Sequence, residues 1–206
     1  MVLKSYAKLN LSLSVNKKLK NGLHNIQSIY CLIDVYDKIF IKKSKNKNSD
    51  QIVFTGPFSK DVNESNNSVK KVLDLMRKNK LIHDYYSVKV IKKIPVFAGF
   101  GGGTSNAASI LKYLAKKKYN KKIFDKIVSE VGSDLRLFSH SLGYQKNLKF
   151  VIPMKKKYKL YFLLVFPKIK SSTKSVYSKI KKFSKLKFFL KKNLYSREDF
   201  ISSLIN

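Results

Sequence analysis

Residues 95–109 read PVFAGFGGGTSNAAS and are the most distinctive stretch of the chain. It holds four of the eight glycines of the chain, three of them consecutive. Residues 85–91 before it have the β-branched and aromatic content of a strand, and residues 107–118 after it place apolar side chains at helical spacing. The sequence therefore predicts a glycine loop that connects a strand to a helix.

Such a loop is suited to hold phosphate groups. Glycine allows a positive φ and lets the backbone approach a ligand with no Cβ in the way. The first N–H groups of a helix have no partner inside the helix and lie at the positive end of its dipole. Thr104 and Ser105 add hydroxyl groups. A plain glycine turn is the alternative, and for three isolated glycines it would be the favoured interpretation.

The pattern differs from two common nucleotide-binding motifs. A P-loop requires a lysine after its glycines, and a dinucleotide fingerprint starting at Gly99 requires glycine where Thr104 stands. The stretch resembles instead the second motif of the GHMP kinases, Pro-x-x-x-Gly-Leu-Gly-Gly-Gly-Ser-Ser-Asn-Ala-Ala, with Phe100 in place of leucine. The resemblance implies an ATP site formed by Pro95, Gly99, Gly101, Gly102, Gly103, Thr104, Ser105 and Asn106.

A second motif lies in the first predicted strand, residues 3–15, where apolar and polar side chains alternate. Lys8 and Asn10 fall on its polar face, which by itself predicts only contact with water. Residues 7–11, AKLNL, however resemble the opening motif of GHMP kinases of the diphosphocytidyl-methylerythritol type. The resemblance implies that Lys8 points into the active site and that Asn10 contacts the substrate.

Asp134 follows a predicted helix, residues 123–131, that stops at a glycine. An aspartate in this place is most simply a turn or cap residue. Residues 132–135, GSDL, resemble the Gly-Ala-Asp-Val of the family, although Arg136 replaces the proline that follows there. The resemblance implies that Asp134 is the catalytic base and that Lys8 pairs with it and orients the acceptor hydroxyl.

Three more residues become candidates for substrate binding through the same resemblance. His24 stands where the family has a histidine that reads cytosine, although Leu23 replaces the tyrosine before it. Thr173 and Tyr177 match a threonine and an aromatic residue that stacks on cytosine. Without the resemblance, His24 is a structural histidine in a turn, and the other two are a helix cap and a core tyrosine.

Asn67 lies in a cluster of cap-forming residues before a helix in which apolar side chains recur from Val69 to Met76. It is equally well interpreted as a helix cap or as a residue beside the adenine pocket of the related kinases. Mg²⁺ is expected to accompany ATP, and the sequence shows no secure protein ligand for it.

The formal net charge of +32 suggests, taken alone, a polyanionic partner such as nucleic acid. Only three of the 44 basic residues are arginine, which is the residue suited to bidentate contacts with bases and phosphates. The lysines are spread over most of the chain, as a chain-wide compositional bias would place them. A solvated basic surface is the favoured interpretation, and a nucleic-acid-binding protein on a kinase scaffold is the alternative.

The composition favours a cytoplasmic protein. The longest apolar run, residues 160–166, has the length of a strand and is far shorter than the roughly 20 residues of a membrane span. Residues 1–6 lack the apolar core of a signal peptide. The single cysteine, Cys31, excludes an internal disulfide, which suits a reducing compartment.

Taken together, the motifs predict an α/β fold of the GHMP kinase type. The resemblance implies that residues 1–152 form an N-terminal domain like ribosomal protein S5 with the ATP site, and that residues 153–206 form the start of a ferredoxin-like C-terminal domain. Strands are expected near residues 148–152 and 160–166. The implied reaction transfers the γ-phosphoryl group of ATP to the 2-hydroxyl of a cytidine diphosphate derivative of methylerythritol, in non-mevalonate isoprenoid biosynthesis. Because the family's third motif has no counterpart in the sequence, a truncated and inactive kinase is a further alternative.

Overall fold

A mixed six-stranded sheet with helices packed against it forms the fold. The computed structural model describes residues 1–45, 48–116, 118–155, 159–166, 173–184, 200–202 and 204. The elements in chain order are β1 (Val2–Lys18), β2 (His24–Lys43), β3 (Gln51–Thr55), α1 (Ser68–Lys78), β4 (Tyr86–Ile91), α2 (Gly102–Ala115), α3 (Lys121–Val131), a 3₁₀ helix (Ser133–Ser139), β5 (Leu142–Gln145), β6 (Val151–Pro153) and α4 (Thr173–Ser178).

Strand β2 is the centre of the sheet because it pairs along both of its edges. One edge pairs with β1, antiparallel and over nearly the whole length of both strands. The other edge is divided, since residues 38–43 pair with β4 and residues 28–31 pair with β5. Strand β3 adds to β4 in parallel and β6 adds to β5 in antiparallel orientation, which gives the order β3-β4-β2-β5-β6 with β1 beside β2.

The larger core lies where α1, α2 and α3 pack against β2 and β4. Helix α1 begins at the cap Asn67, whose side chain accepts a hydrogen bond from the Lys70 amide at 2.9 Å. Its apolar residues recur at helical spacing and are buried, and each large apolar side chain buried this way stabilises the fold by about 1.5–3 kcal/mol. They are Val69, Val72, Leu73, Leu75 and Met76.

Residues 160–166 differ from their prediction as a strand. They belong to no strand in the part of the chain that the structure describes. Leu163 is 91% exposed, whereas Phe166 contacts Phe58 edge-on at 5.7 Å between ring centroids. Apolar content alone predicts a strand, but a strand exists only where a neighbour satisfies its backbone groups. A second domain over residues 153–206 stays a prediction, and the described helices include none long and apolar enough to cross a membrane.

Tyr30 on β2 is fully buried opposite a glycine. Its hydroxyl has no hydrogen-bond partner among the described residues, and burial raises the pKa of this phenol far above its ordinary range. Gly143 lies directly across on β5, where a Cβ would come within 2.8 Å of the Tyr30 oxygen. The ring therefore fills the space that a side chain at position 143 would need.

We predict that Tyr30→Phe raises the free energy of unfolding by about 1 kcal/mol, because it removes a buried polar group that has no partner. Gly143→Ala should lower it by about 1–3 kcal/mol through overpacking. Urea unfolding of both variants measures these changes. A clear loss of stability in Tyr30→Phe would contradict the prediction, since it would mean that the hydroxyl is bonded.

Candidate active site

Helix α2 starts inside the glycine stretch, earlier than the predicted start at residue 107. Gly101 is its N-cap with a φ of 68°, and the helix runs from Gly102. At this φ an L side chain is strained, which explains the need for glycine. Because the helix begins here, its first amide groups lie among the glycines and are available to an anion.

The glycine loop lies between two other parts of the molecule. A Cβ at Gly101 would meet Phe138 at 3.0 Å and the Cε of Lys8 at 3.8 Å. A Cβ at Gly103 would meet the Oγ of Ser68, at the start of α1, at 3.2 Å. The N-terminus of α2 is therefore flanked by Lys8 on one side and by the N-terminus of α1 on the other.

Lys8, Asn10 and Asp134, which the sequence predicts as site residues, are brought together. The Lys8 ammonium lies 3.5 Å from the Asp134 carboxylate and donates a hydrogen bond to Asn10 Oδ1 at 3.3 Å. The Ser28 hydroxyl, which donates to the Ser12 carbonyl at 2.7 Å, lies 3.2 Å from the same amide oxygen. The Asp134 side chain is 34% exposed, so this carboxylate remains open to a ligand while the ammonium beneath it is buried.

Alternation alone predicts that Lys8 faces solvent, but in the structure this residue is buried. The glycine loop covers it. The Lys8 amide donates to the carbonyl of Phe100 at 2.9 Å, which ties β1 to this loop, and the Lys8 Cε lies 3.8 Å from the position of a Cβ at Gly101. The Lys8 side chain shares its face of β1 with Asn10, to which it is hydrogen-bonded, and it is buried because the loop lies over that face.

His24 and Tyr177 contact each other directly. Their rings stack with centroids 5.3 Å apart. Phe183, a residue that sequence reasoning missed, also stacks on His24, at 6.2 Å between centroids. Burial raises the pKa of Tyr177, and the negative charge of Asp134 raises it further. Thr173 begins α4, and its side chain lies outside the described residues.

The remaining residues predicted for ATP binding occupy different surroundings. Asn67 acts as the cap of α1, and its side chain also donates to the carbonyls of Asn63 and Glu64. Thr104 and Pro95 are half-buried. The side chains of Ser105 and Asn106 are both 1% exposed and point into the protein rather than out of the loop. Their predicted contact with ATP stays a prediction.

Beneath the loop lies a buried polar network that sequence reasoning did not identify as part of the site. Asp37 and Lys92 form an ion pair with side chains 0% and 3% exposed, and both bond to Asn106. Burial lowers the pKa of Lys92, and the Asp37 carboxylate offsets part of this effect. Charged residues inside two apolar strand segments were the available signal for this pair.

Phe97 is a further residue that the motif did not predict. It has a φ of 61° and a side chain that is 50% exposed, at the mouth of the glycine loop. The other non-glycine residues with positive φ, Lys80 and Lys116, lie at the ends of α1 and α2, where this conformation is common. A bulky residue in this left-handed conformation carries backbone strain.

A separate cleft of about 750 Å³ opens on the solvent-facing side of α1. Residues of both charge signs line it, among them Lys70, Asp74 and Asp50, and Arg77 bonds to Asp50 at 2.9 Å there. None of the residues predicted for the site is among its lining residues. Within the described ranges, no group of three or more His, Cys, Asp or Glu residues could hold a metal ion.

Comparison with known proteins agrees with this geometry. Residues 67–140 match the model of the GHMP kinases N terminal domain. A 4-diphosphocytidyl-2-C-methyl-D-erythritol kinase of Pelagibacter ubique is 38% identical over 209 residues, which cover 99% of this chain and 73% of the relative. The chain belongs to this family of GHMP kinases. The family and the α/β fold expected from the sequence are thereby confirmed.

Other members of the family are similar to a comparable extent. The kinase of the same name from Ureaplasma parvum is 32% identical over 87% of this chain and 69% of its own length. The one from a Sulfurihydrogenibium species is 33% identical over 88% of this chain and 66% of its own length. The GHMP kinase described here thus spans about two thirds to three quarters of these relatives.

Solved structures share the fold. A crystal structure of 4-(cytidine 5'-diphospho)-2C-methyl-D-erythritol kinase aligns with a TM-score of 0.56 and 21% identity, over 75% of this chain and 55% of that one. The mevalonate kinase of Methanococcus jannaschii aligns with a TM-score of 0.52 and 15% identity, over 76% and 56%. The chain therefore has the GHMP kinase fold over little more than half the length of these proteins.

We predict that Asp37→Asn lowers the free energy of unfolding by about 3–5 kcal/mol, because it leaves the Lys92 ammonium buried without its counter-charge. Adding Lys92→Met should restore part of the loss, since the unpaired charge is then gone. Denaturant unfolding of the single and double variants tests this, and a double variant less stable than Asp37→Asn would contradict it.

The same variant has a predicted pH dependence. Without Asp37, only burial acts on Lys92 and its folded-state pKa falls further below the ordinary 10.5 of the unfolded chain. Between these two values the unfolded state binds more protons, so the stability of Asp37→Asn should rise with pH toward 10.5. The wild type, in which the carboxylate opposes the shift, should show a weaker rise.

Proposed function

We propose that the chain catalyses ATP-dependent phosphorylation of the 2-hydroxyl of 4-diphosphocytidyl-2-C-methyl-D-erythritol, a step of non-mevalonate isoprenoid precursor biosynthesis. The observation that carries the proposal is the buried Lys8 ammonium 3.5 Å from Asp134, beside the N-terminus of α2. The family supplies the reaction, and this pair supplies groups that the reaction requires. We also propose a cytoplasmic location, because the single cysteine, Cys31, suits a reducing compartment.

The glycine loop would hold the phosphate chain of ATP. Backbone N–H groups at the start of α2, from Gly102 onward, have no partner in the first turn, and each bond to a phosphate oxygen contributes roughly 1.5–3 kcal/mol. Phosphoryl transfer depends mainly on positioning and on neutralising the charge of the transferred group. A rigid helix end with small residues meets both needs because the ligand can approach the backbone closely.

Asp134 would accept the proton of the substrate hydroxyl. Its carboxylate is partly exposed at the site, whereas the Lys8 ammonium behind it is only 6% exposed. The ammonium can contact both the carboxylate and the attacking oxygen. Its hydrogen bond to Asn10 Oδ1, at 3.3 Å, fixes its orientation. This arrangement gives a base in hydrogen-bond reach of the acceptor and a cation that orients it.

Mg²⁺ would be held mostly by the phosphates of ATP, in keeping with its usual binding through substrate oxygens, waters and one or two protein groups. The Thr104 hydroxyl fits this limited role, since it lies 3.9 Å from the position of a Cβ at Gly132, beside the turn that carries Asp134. When bound, the ion supplies charge neutralisation between the phosphates.

The aromatic cluster of His24, Tyr177 and Phe183 would recognise the cytosine of the substrate. Its rings contact one another, with His24 stacked on both Tyr177 and Phe183. Stacking suits any base, and a histidine can add hydrogen bonds to its edge. Phe183 and Tyr177 together can replace the aromatic side chain that is absent at Leu23.

We predict that Asp134→Ala lowers kcat by about 10²–10⁴-fold while ATP binding is kept, because proton transfer is lost and the glycine loop is unchanged. Asp125→Ala is the matched control. Asp125 is also partly exposed and also pairs with a cation, Arg136 at 2.7 Å, but it lies outside the site. Transfer of labelled γ-phosphate measures kcat, and near-wild-type turnover by Asp134→Ala would remove it from this role.

We also predict that Tyr177→Ala raises KM for the cytidine substrate about tenfold or more, since stacking on a base contributes about 1–3 kcal/mol. Tyr177→Phe should stay close to wild type, because the ring is kept. Tyr119→Ala serves as control, as Tyr119 also stacks on a neighbour, Phe124 at 5.7 Å, in another part of the fold. If Tyr177→Ala, Tyr177→Phe and Tyr119→Ala all had the same KM, cytosine would not bind at the aromatic cluster.

A further inference from the structure

We propose that the side chains of Ser105 and Asn106 are positioning residues that hold the glycine loop against strand β1, rather than ligands of ATP phosphate. The buried pair of Asp37 and Lys92 anchors them. This inference rests on the proposed kinase function and assigns these four residues to one task, which is to fix the phosphate site relative to Lys8 and Asp134.

The hydroxyl of Ser105 is already engaged with β1. It donates to the carbonyl of Tyr6 at 2.7 Å and accepts from the hydroxyl of Ser5 at 2.8 Å. A hydroxyl has one proton to donate, so Ser105 cannot donate to a phosphate oxygen while the Tyr6 bond exists. Tyr6 lies two positions before Lys8 on β1. The bond therefore joins α2 to the strand segment that carries Lys8.

The amide of Asn106 is engaged in the same direction. Its nitrogen donates to the Ser5 hydroxyl and to Asp37 Oδ2, both at 3.0 Å, and its oxygen accepts from the Lys92 ammonium at 3.3 Å. Both donors of an asparagine amide are thus used inside the protein. At 1% exposure the side chain has no path to a ligand in the loop.

Asp37 holds the two ends of the glycine loop at once. It accepts from the amides of Lys93 and Ile94, at 2.7 and 2.9 Å, where the chain leaves β4 toward the loop. It also binds Asn106, where the chain has entered α2. The Lys92 ammonium lies below, 3.2 Å from the position of a Cβ at Gly102. The carboxylate thus fixes the beginning and the end of the loop to strand β2.

These bonds affect the alignment of the phosphates with the acceptor hydroxyl rather than the affinity for ATP. Phosphates would bind backbone groups of α2, while the acceptor hydroxyl would be placed by Lys8 on β1. The bond from Ser105 to Tyr6 and the bond from the Lys8 amide to Phe100 connect these two elements. A displacement near 1 Å between reacting groups can reduce the rate about 10²-fold. Loss of the Ser105 hydroxyl should therefore reduce kcat and leave ATP affinity nearly unchanged.

Two neighbouring hydroxyls give a matched test. In Ser105→Ala we expect kcat to fall about 10–100-fold, with the Kd for ATP, from direct nucleotide binding, within about threefold of wild type. In Thr104→Val we expect the Kd for Mg²⁺-ATP to rise, because the Thr104 hydroxyl is the group proposed above to bind the ion. A weaker Kd with unchanged kcat in Ser105→Ala would overturn the inference, and so would unchanged values of both.

A core variant separates alignment from stability. Leu73→Ala removes a fully buried side chain of α1 that is outside the network, and it should lower the free energy of unfolding by about 2–5 kcal/mol. Well below its unfolding temperature, this variant should retain wild-type kcat. If Leu73→Ala lost as much kcat as Ser105→Ala, the effect of Ser105 would be one of general stability and the inference would fail.

Amide hydrogen exchange supplies a readout that does not require turnover. In Ser105→Ala the Lys8 amide, bonded to Phe100, should exchange about tenfold faster, while amides in the middle of α1 keep their rates. Unchanged exchange at Lys8 would overturn the inference even if the wild type transferred no phosphate. Absence of transfer by the wild type, with faster exchange at Lys8 in the variant, would instead reject the proposed function alone.

Discussion

The carboxylate of Asp37 is the interaction on which the site depends. It is fully buried and accepts hydrogen bonds from an ammonium, an amide side chain and two backbone N–H groups. A buried charge is tolerated only when its hydrogen bonds are satisfied in this way, and removing one partner leaves the other exposed to the full penalty of desolvation. The chain thus accepts a polar centre within its core, and the glycine loop is tied to that centre at both ends.

The central position of β2 lets Asp37 contact several elements of the fold. Because β2 pairs with β1 on one edge and with β4 and β5 on the other, a side chain near its end can reach both the strand that carries Lys8 and the strand that precedes the loop. The flexible glycines are then confined between fixed ends. A glycine-rich loop can be well ordered here because Asp37 holds both of its ends.

The glycine loop before a helix could be predicted because it is a local pattern. From short motifs the sequence also selected Lys8 and Asp134, which the structure places 3.5 Å apart and whose catalytic roles stay predictions. It was insufficient where a property depends on pairing. The burial of Lys8 follows from its contact with the glycine loop, which the alternation along β1 cannot show. The inward direction of Ser105 follows from the true start of α2 at Gly102. Asp37 and Lys92 are distant in sequence, and no local pattern joins them.

The stack of His24 on Tyr177 has a kinetic consequence. With centroids 5.3 Å apart, the two rings are in contact and leave no room for a third ring between them. A cytosine that inserts there must first separate them, at the loss of about 0.5–1.5 kcal/mol of ring contact. Entry of the base would then include a conformational step, and the observed association rate should level off at high ligand concentration instead of rising without limit.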